Sequence, residues 1–546
     1  MRKKIFITIL SILFTLFILI GNSFLISNSF KFITKNILVN LIIIIVAFII
    51  FYLLFNLLFR LLDEKKIKQY KIIKKIEKTR IYKLFIKHPF IFSLIFILIC
   101  WIPYIIAFYP TILSPDPSFQ IKQYFGIENK YSTYVIMRDP KILITNHHPV
   151  IHTLLLGTCV KIGKIINNVN LGLFIYSLIQ ILILSSTLAY TIKFMSKLKL
   201  DKNYLLISLM VYSLIPIFPF YSMSAVKDVI FGSLIILYII TIYKLVKCEN
   251  IKIVDIIKII VLMILVILFR NNGIHVIILS FPFLFFIDKN IRKKIKLILI
   301  FMIILVFNYS YNNVILPYFK ISPTSVREIL SIPFQQTARY VKEHEKEVTK
   351  EEKEVIDKLL NYDTIASRYK PDIADPVKNE FNRYYKKEDL TRYFRVWFKE
   401  FTNHPVTYIE ATINNTYGYF YPLKTRWFIY YKYDDRIVED GFDYHYNSLK
   451  TSRKLLSDYG RTFPYIPIIG LIINIAFNVW ILIFMFTYLI YKKKYKSVIY
   501  LIPSFILILV CIASPVNAYF RYALPYVFAL MLNLGIFIKE GVLDER

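Results

Sequence analysis

The chain has 546 residues, of which 57% are hydrophobic, and its mean hydropathy is +0.53. This composition excludes an ordinary water-soluble protein, so we expect most of the chain to contact lipid. The net charge of +33 does not indicate nucleic-acid binding, because the lysines and arginines mostly flank apolar runs, where they set membrane topology. The four cysteines fall in or beside apolar segments and predict neither a disulfide framework nor a thiolate metal site.

Several apolar runs reach the roughly 20 residues that a helix needs to cross a bilayer. Lipid offers no backbone hydrogen bonds, so each run must be helical. The sequence therefore predicts an all-α polytopic membrane protein with about twelve transmembrane helices, the first of them uncleaved because no clean signal-peptide cleavage site follows it. The predicted spans are residues 5–26, 37–61, 90–109, 170–192, 204–221, 226–246, 253–269, 273–288, 295–316, 463–490, 497–514 and 519–538.

The apolar run at residues 150–166 is short and is interrupted by Lys161 and Lys164. If this run crossed the membrane, the lysine clusters at 193–202 and 492–496 would lie outside, which the positive-inside rule disfavours. We therefore predict an amphipathic helix that lies in the membrane interface. The same rule places the lysine-rich linker between Asp63 and His88, and both chain termini, in the cytoplasm.

This topology divides the chain into three parts. Residues 1–317 form an N-terminal membrane domain whose first outer loop is 110–169, and residues 461–546 form the C-terminal membrane helices. Between them, residues 318–460 are polar and contain helical patterns, and the segment is long enough for a domain of its own. We predict a mainly helical extracytoplasmic domain there.

Asp116 stands between Pro115 and Pro117, a few residues beyond the end of a predicted span. A carboxylate near the membrane surface can remove the proton of an acceptor hydroxyl, or it can bind a metal ion. The alternative is an aspartate that stabilises a proline-rich turn. We predict Asp116 as the catalytic residue.

The same outer loop contains His147 and His148 just before Pro149, with His152 further on. If Pro149 opens a helix, His148 and His152 share one face of it. Paired imidazoles could bind a phosphate or a divalent cation, which is the only cofactor that the sequence suggests. No Glu or Cys stands at metalloprotease spacing, and helix capping or a polar network is the alternative role.

Two membrane boundaries carry the polar residues Lys227, Asp228, Arg270 and Asn271. Ionisable residues at such a depth usually face the protein interior. We expect Lys227 and Arg270 to hold an anionic phosphate, with Asp228 paired to one of them. Lysine and arginine that reach out to the lipid headgroups are the alternative.

The predicted extracytoplasmic domain contributes the last group of candidate binding residues, Gln335, Gln336, Arg339, Asp375 and Lys378. Arg339 and Lys378 suit phosphate or carboxylate groups, and the two glutamines suit sugar hydroxyls. Asp375 and Lys378 belong to one Asp-Pro-Val-Lys sequence. The alternative is a helix start and a capped turn in an ordinary domain.

These motifs together resemble an uncharacterised family of bacterial polytopic membrane proteins. The resemblance rests on residues Tyr109–Gln120, Asn146–Pro149, Lys227 with Asp228, Arg270–Gly273, Pro333–Arg339 and Asp375–Lys378. The number of spans, the interfacial helices and the acidic residue in the first outer loop also resemble the GT-C superfamily of membrane glycosyltransferases. Many GT-C enzymes carry a second acidic residue close to the first, whereas this chain has Pro115 and Pro117 there and only Asp139 at a distance.

The resemblance implies a glycosyltransferase in a bacterial cell membrane. It would move a sugar from a polyprenyl-phosphate carrier to an envelope glycan or lipid on the outer face, with Asp116 as base and Lys227, Arg270 and Arg339 on the carrier phosphate. One alternative is a transporter or flippase for a lipid-linked or anionic substrate, although the chain shows no repeat and has only 13 glycines. The other is a glycan polymerase or ligase that depends more on Arg339 than on Asp116.

Overall fold

The computed structural model describes residues 1–64, 79–132, 142–425, 428–429 and 432–543. The described residues form helices joined by loops, and β pairing occurs among them only as isolated bridges. This confirms an all-helical fold. The lysine-rich stretch 65–78 and Asp139, which entered the sequence predictions, lie outside the described residues.

The chain up to Tyr318 contains long apolar helices and shorter helices between them. They are α1 (Arg2–Ser27), α2 (Lys31–Lys35), α3 (Ile37–Asp63), α4 (Arg80–Lys87), α5 (Pro89–Ala107), α6 (Pro115–Tyr124), α7 (Val150–Ile165), α8 (Val169–Lys197), α9 (Lys202–Leu214), α10 (Ile217–Met223), α11 (Lys227–Lys247), α12 (Ile253–Phe269), α13 (Gly273–Ser280), α14 (Phe283–Ile287), α15 (Ile291–Ser310) and α16 (Leu316–Tyr318). Their buried side chains, together with those of the C-terminal helices, form the main hydrophobic core.

Shorter and more polar helices follow. They are α17 (Ser331–His344), α18 (Lys350–Asp357), α19 (Tyr362–Arg368), α20 (Asp375–Lys378), α21 (Lys387–Asn403), α22 (Pro405–Thr416) and α23 (Lys450–Thr462). Helices α17 to α22 are called the polar helical region below. Residues such as Phe334, Ile356 and Tyr393 give this region a hydrophobic core of its own. Helices that combine polar residues with such buried apolar ones are amphipathic, as a helix packed on one side requires.

The chain ends with α24 (Ile475–Tyr491), α25 (Tyr495–Val498), α26 (Ile502–Ile512), α27 (Phe520–Phe528) and α28 (Leu530–Phe537). In the described part of the chain, eight helical stretches are long and apolar enough to cross a membrane, or nine if the bent pair α9 and α10 is one span. The eight are Arg2–Ser27, Ile37–Asp63, Pro89–Ala107, Val169–Lys197, Lys227–Lys247, Ile291–Tyr318, Tyr495–Ile512 and Phe520–Leu543.

The other predicted spans coincide with short or broken helices. Helices α12 and α24 have 17 residues each, which corresponds to a rise of about 26 Å against a hydrocarbon core of roughly 30 Å. The predicted span 273–288 is broken between α13 and α14. These helices are apolar, and their length is what separates them from the eight longer stretches.

Helix α7, which covers the predicted interfacial segment, has 16 residues and is not among the eight long stretches. Two glycines bring it close to its neighbours. A Cβ atom on Gly157 would lie 2.1 Å from the ring of Tyr124 in α6, and one on Gly163 would lie 2.9 Å from the Cα of Gly172 in α8. The absence of side chains at these positions lets α6, α7 and α8 pack closely together. Asp116 lies in α6 and His152 in α7, and His147 and His148 lie just before α7.

Candidate functional site

A first β-bridge joins the loops before α6 and α11. The Ile112 N–H donates to the Met223 carbonyl at 2.8 Å, and the Ala225 N–H donates to the Ile112 carbonyl at 3.0 Å. Both helices begin shortly after this bridge, so their first turns lie side by side. Asp116 is in the first turn of α6, and Lys227 and Asp228 open α11.

A second bridge brings the two histidines to the same place. The Asn146 N–H donates to the Ser322 carbonyl at 2.7 Å, which pairs Thr145 with Ser322. The Asn146 carbonyl also accepts a hydrogen bond from the Asn271 side chain at 2.7 Å. Asn271 thus orients the loop that carries His147 and His148 and ties it to the segment that contains Arg270.

A third bridge connects the polar helical region to the loop before α27. The Ala374 N–H donates to the Pro515 carbonyl at 2.7 Å, and the Asn517 N–H donates to the Asp372 carbonyl at 2.9 Å. These bonds pair Ile373 with Val516. They fix the start of α20, which holds Asp375 and Lys378, beside the entrance to α27.

Arg521 in α27 joins the two aspartates. Its Nη2 atom lies 2.7 Å from Oδ2 of Asp116, and its Nε atom lies 3.2 Å from Oδ2 of Asp228. The other carboxylate oxygen of Asp228 pairs with Arg270. All of these residues except Asp116 are less than one tenth exposed, so the pairs lie in a low-dielectric setting, where charge interactions are strong.

Lys227 contacts His148 in the same site. Its Nζ atom is 2.8 Å from Nδ1 of His148. An ammonium group can only donate, so Nδ1 accepts and the proton of a neutral imidazole is on Nε2. That Nε2 atom is buried without a hydrogen bond and lies 3.8 Å from Oδ1 of Asp116. The charge cluster is therefore defined as Asp116, His148, Lys227, Asp228, Arg270 and Arg521.

The electrostatics of the charge cluster keep Asp116 ionised and His148 neutral. Burial alone would raise the pKa of Asp116, but the positive charges of Arg521 and Lys227 hold it well below its usual range. Burial, reinforced by Lys227, lowers the pKa of His148 well below its usual value. With a neutral imidazole, three cations face two carboxylates, which leaves one positive charge in excess.

A second group of charges adjoins the charge cluster through aromatic contacts. Tyr131 stacks on His147 with ring centroids 4.1 Å apart and meets the edge of His148 at 5.0 Å. His147 Nδ1 lies 3.7 Å from Glu328, and Lys378 pairs with Glu328 at 2.7 Å and with Asp375 at 2.9 Å. The predicted residues Asp375 and Lys378 thus reach the site through Glu328.

Burial determines the protonation of this second group. It lowers the pKa of His147 to about 4, although Glu328 opposes the shift. Burial would raise the pKa of Glu328, but the charge and the hydrogen bond of Lys378, together with the other positive charges nearby, outweigh it, and the pKa is about 2. At neutral pH, His147 is therefore an uncharged ring, and Glu328 is an ionised partner of Lys378.

Gln335, Gln336 and Arg339 have their partners inside the polar helical region and at the end of α1. Gln335 donates to the Lys370 carbonyl at 2.8 Å, and Gln336 donates to the Thr412 hydroxyl at 2.9 Å. Arg339 pairs with Glu410 and donates to the Asn28 carbonyl at 2.9 Å. Their contacts hold helices together and do not join the charge cluster.

His152 does not pair with His148. Its Nδ1 atom is 3.0 Å from Gln120 and its Nε2 atom is 2.7 Å from the Tyr176 hydroxyl. Both ring nitrogens are therefore used in a buried polar network between α6, α7 and α8. Of the roles considered for the histidine motif, the polar-network role fits His152.

Sequence analysis missed Arg521, Glu328 and Tyr131. Arg521 lies in the predicted span 519–538, where an ionisable residue signals an inward-facing functional group. That signal was present in the sequence, but the arginine was counted as part of an apolar run. Glu328 and Tyr131 carry no comparable local signal, because their position follows from the second β-bridge and from ring stacking.

The comparisons with known proteins give a family and no function. Neither a curated protein nor a solved structure matches the chain at a significant level. The family model that matches is described only as a family of unknown function, DUF6020, and it covers residues 2–542. Because the match extends over nearly the whole chain, the chain belongs to this family of unknown function, DUF6020.

Proposed function

We propose that the chain is a membrane glycosyltransferase with a GT-C-like arrangement of about twelve spans. It transfers a sugar from a polyprenyl-phosphate carrier to a cell-envelope acceptor on the outer face of a bacterial membrane. The observation that carries the proposal is the charge cluster, in which an ionised carboxylate stands beside an excess of buried positive charge. A base and an anion site side by side are what such a transfer requires.

Lys227 is assigned to the carrier phosphate. Arg270 and Arg521 are each paired with a carboxylate. Among the described residues, Lys227 has a hydrogen bond to His148 and no carboxylate within 4 Å. Its ammonium group retains donors for a phosphate oxygen, and the excess positive charge of the charge cluster favours an anion. Arg339, which the sequence resemblance also placed on the phosphate, is left out because Glu410 and Glu343 already pair with it.

Asp116 acts as the base. The acceptor oxygen forms a bond to the anomeric carbon of the sugar, and its hydroxyl proton passes to Oδ1 of Asp116. The bond between the anomeric carbon and the phosphate oxygen breaks, and its electron pair leaves on the polyprenyl phosphate, where Lys227 stabilises the charge. Arg521 holds Oδ2 of Asp116 at 2.7 Å, so Oδ1 is the oxygen directed to substrate.

The low pKa of Asp116 makes it a weak base, and this suits a late proton transfer. In an oxocarbenium-like transition state, the acceptor hydroxyl becomes acidic only as the new bond forms. His148 Nε2–H, 3.8 Å from Oδ1 of Asp116, is placed to donate to an acceptor oxygen that also contacts this carboxylate oxygen. His147 and Tyr131 provide the adjoining aromatic surface for a sugar ring.

The experiment uses the purified protein in lipid vesicles with a panel of polyprenyl-phosphate hexoses that carry a radiolabel in the sugar, and bacterial envelope lipids and glycans are added as acceptors. We expect the wild-type protein to release polyprenyl phosphate and label an envelope acceptor, and Asp116→Asn to reduce the rate by about 10²- to 10⁴-fold. Asp440→Asn is the matched control, because Asp440 pairs with Lys122 at the other end of α6 at 2.6 Å. This control should keep full activity.

Full activity of a folded Asp116→Asn protein would overturn the assignment of the base. The same vesicles distinguish transfer from transport. If the labelled carrier crosses the membrane without any cleavage of its sugar–phosphate bond, the chain is a flippase, and the glycosyltransferase proposal is wrong. An activity per folded molecule that survives Asp116→Asn and is lost in Arg339→Met would instead favour the polymerase or ligase alternative.

A further inference from the structure

Two histidines and a glutamate meet at the junction of α17 and α22, apart from the charge cluster. His344 ends α17, Glu347 follows in a short turn, and His404 directly precedes α22. His344 Nδ1 lies 3.0 Å from one carboxylate oxygen of Glu347, and His404 Nε2 lies 3.1 Å from the other. The three potential ligand atoms are all within 4.8 Å of one another.

We propose that His344, Glu347 and His404 form a binding site for a divalent transition-metal cation of the zinc class. Imidazole nitrogen and carboxylate oxygen are the ligands that such cations take together. The two rings face each other with centroids 3.9 Å apart, and each presents one nitrogen to the carboxylate. A cation held between the three atoms would have two nitrogen ligands and one oxygen ligand.

The surroundings of His344 orient it as a ligand. Its second nitrogen, Nε2, lies 2.9 Å from the Thr407 hydroxyl. When Thr407 accepts the proton of Nε2, the lone pair of Nδ1 points to the site. Metal-binding histidines almost always have such a partner on the other nitrogen. Tyr340 packs against both rings, at 5.6 Å from His344 and 5.3 Å from His404, and limits their rotation.

The exposure of the three side chains indicates the type of site. The imidazoles are about one-fifth exposed, at 22% and 19%, whereas the Glu347 side chain is 56% exposed. Two sheltered nitrogens and an accessible carboxylate leave room for a water molecule as the fourth ligand. A tetrahedral zinc site of this composition keeps one open position.

The site would also have a structural consequence. It links the end of α17 to the start of α22 and so closes the chain segment that contains α18 to α21. The three ligands meet only when these helices are packed, so binding of the cation favours the folded state. The same two helices are also joined by the ion pair between Arg339 and Glu410. The cation would add a second link between them, where α17 ends and α22 begins.

The test uses the full-length protein in detergent, stripped of metal with EDTA and then titrated with Zn²⁺ alone. We expect one tightly bound Zn²⁺ per chain and a thermal unfolding midpoint that rises with Zn²⁺ concentration, because a ligand of the folded state stabilises it. Replacing Zn²⁺ with Co²⁺ should give the visible absorption bands of a four-coordinate site.

Glu347→Gln is the main variant, since Glu347 is exposed and its loss should leave the fold intact. It should weaken Zn²⁺ binding about tenfold or more and remove the Co²⁺ bands. His445→Gln is the matched control, because His445 has an exposed carboxylate partner, Asp443, at 3.2 Å. Binding in the His445→Gln protein should equal that of the wild type. Equal Zn²⁺ affinity of Glu347→Gln and wild type would overturn the proposal, as would the lack of any tight Zn²⁺ binding by the wild type.

Discussion

The charge cluster and the polar helical region each contain a buried arginine with carboxylate partners, and the two arginines differ in their charge balance. Arg521 bridges Asp116 and Asp228, but Arg270 and Lys227 add two further cations nearby. Arg339 faces two carboxylates, Glu410 and Glu343, and also donates to the Asn28 carbonyl. The first arrangement has positive charge to spare for an anion. The second has none. Each arginine has two carboxylate partners, so the further cations nearby, more than the presence of an arginine, separate a binding site from a structural joint.

Arg521→Met should have the largest effect. It leaves the buried Asp228 and the partly buried Asp116 with less positive charge. Breaking a buried pair typically costs 3 to 5 kcal/mol, so we expect a loss of about 4 kcal/mol in the free energy of unfolding. Denaturant unfolding in detergent measures it. Arg521→Lys should recover only part of the loss, because a single ammonium group cannot bridge both carboxylates. Unchanged stability of Arg521→Met would contradict the account of the charge cluster.

Arg339→Met should destabilise the protein by about 3 kcal/mol, a smaller loss because Glu343 is partly exposed and solvent screens it. Transferase activity per folded molecule should stay near that of the wild type. Stability comes from denaturant unfolding and activity from the vesicle assay with labelled carrier. If the loss of activity exceeded the loss of folded protein, the contrast between the two arginines would be wrong.

Acidification should destabilise the protein through His147. Its folded pKa is about 4 against an ordinary value of 6.5, so the unfolded chain takes up the proton first. The stabilisation is complete above about pH 6.5 and is lost as the pH falls toward 4. Between pH 6.5 and 5, we expect His147 to account for roughly 2 kcal/mol.

The measurement is the free energy of unfolding of the wild type and His147→Asn at pH 7 and pH 5. The variant should depend less on pH over this interval. Glu328 does not interfere, because its folded pKa of about 2 and its usual value of 4.5 both lie below the interval. Identical pH dependence of the two proteins would show that His147 is not buried in its neutral form.

Asp363→Asn should have the smallest effect. Asp363 pairs with Lys353 at 3.1 Å, but its side chain is 79% exposed and that of Lys353 is 53% exposed. Exposed ion pairs contribute little, so the free energy of unfolding should change by less than about 0.5 kcal/mol. This variant gives the scale against which the two buried arginines are compared, and a large change would show that denaturant unfolding does not separate buried pairs from exposed ones.

The cost of placing charge in an apolar segment made part of the site predictable from sequence. Lys227, Asp228 and Arg270 stand at the edges of apolar runs, and the structure brings them to Asp116. Arg521 obeys the same rule but was hidden within a predicted span. The sequence also placed Arg339 with these cations, since nothing local showed that Glu410, far along the chain, would pair with it.

The all-helical class and the positions of the apolar runs were also predictable, because a chain in lipid must satisfy its backbone hydrogen bonds internally. The break between α13 and α14 and the shortness of α12 and α24 were not, since hydropathy locates a run without showing where its helix ends. The meeting of His344 and Glu347 with His404 could not be predicted either. It depends on how α17 packs on α22, and no local pattern encodes a contact between such distant segments.

The bridge between Ile373 and Val516 connects the polar helical region to the entrance of α27. Its two hydrogen bonds, from Ala374 to Pro515 and from Asn517 to Asp372, are backbone bonds and do not depend on side-chain identity. We therefore expect a tilt of α20 to displace the chain just before Arg521. The distance between the guanidinium group of Arg521 and Asp116 therefore depends on the orientation of helices that lie outside the charge cluster.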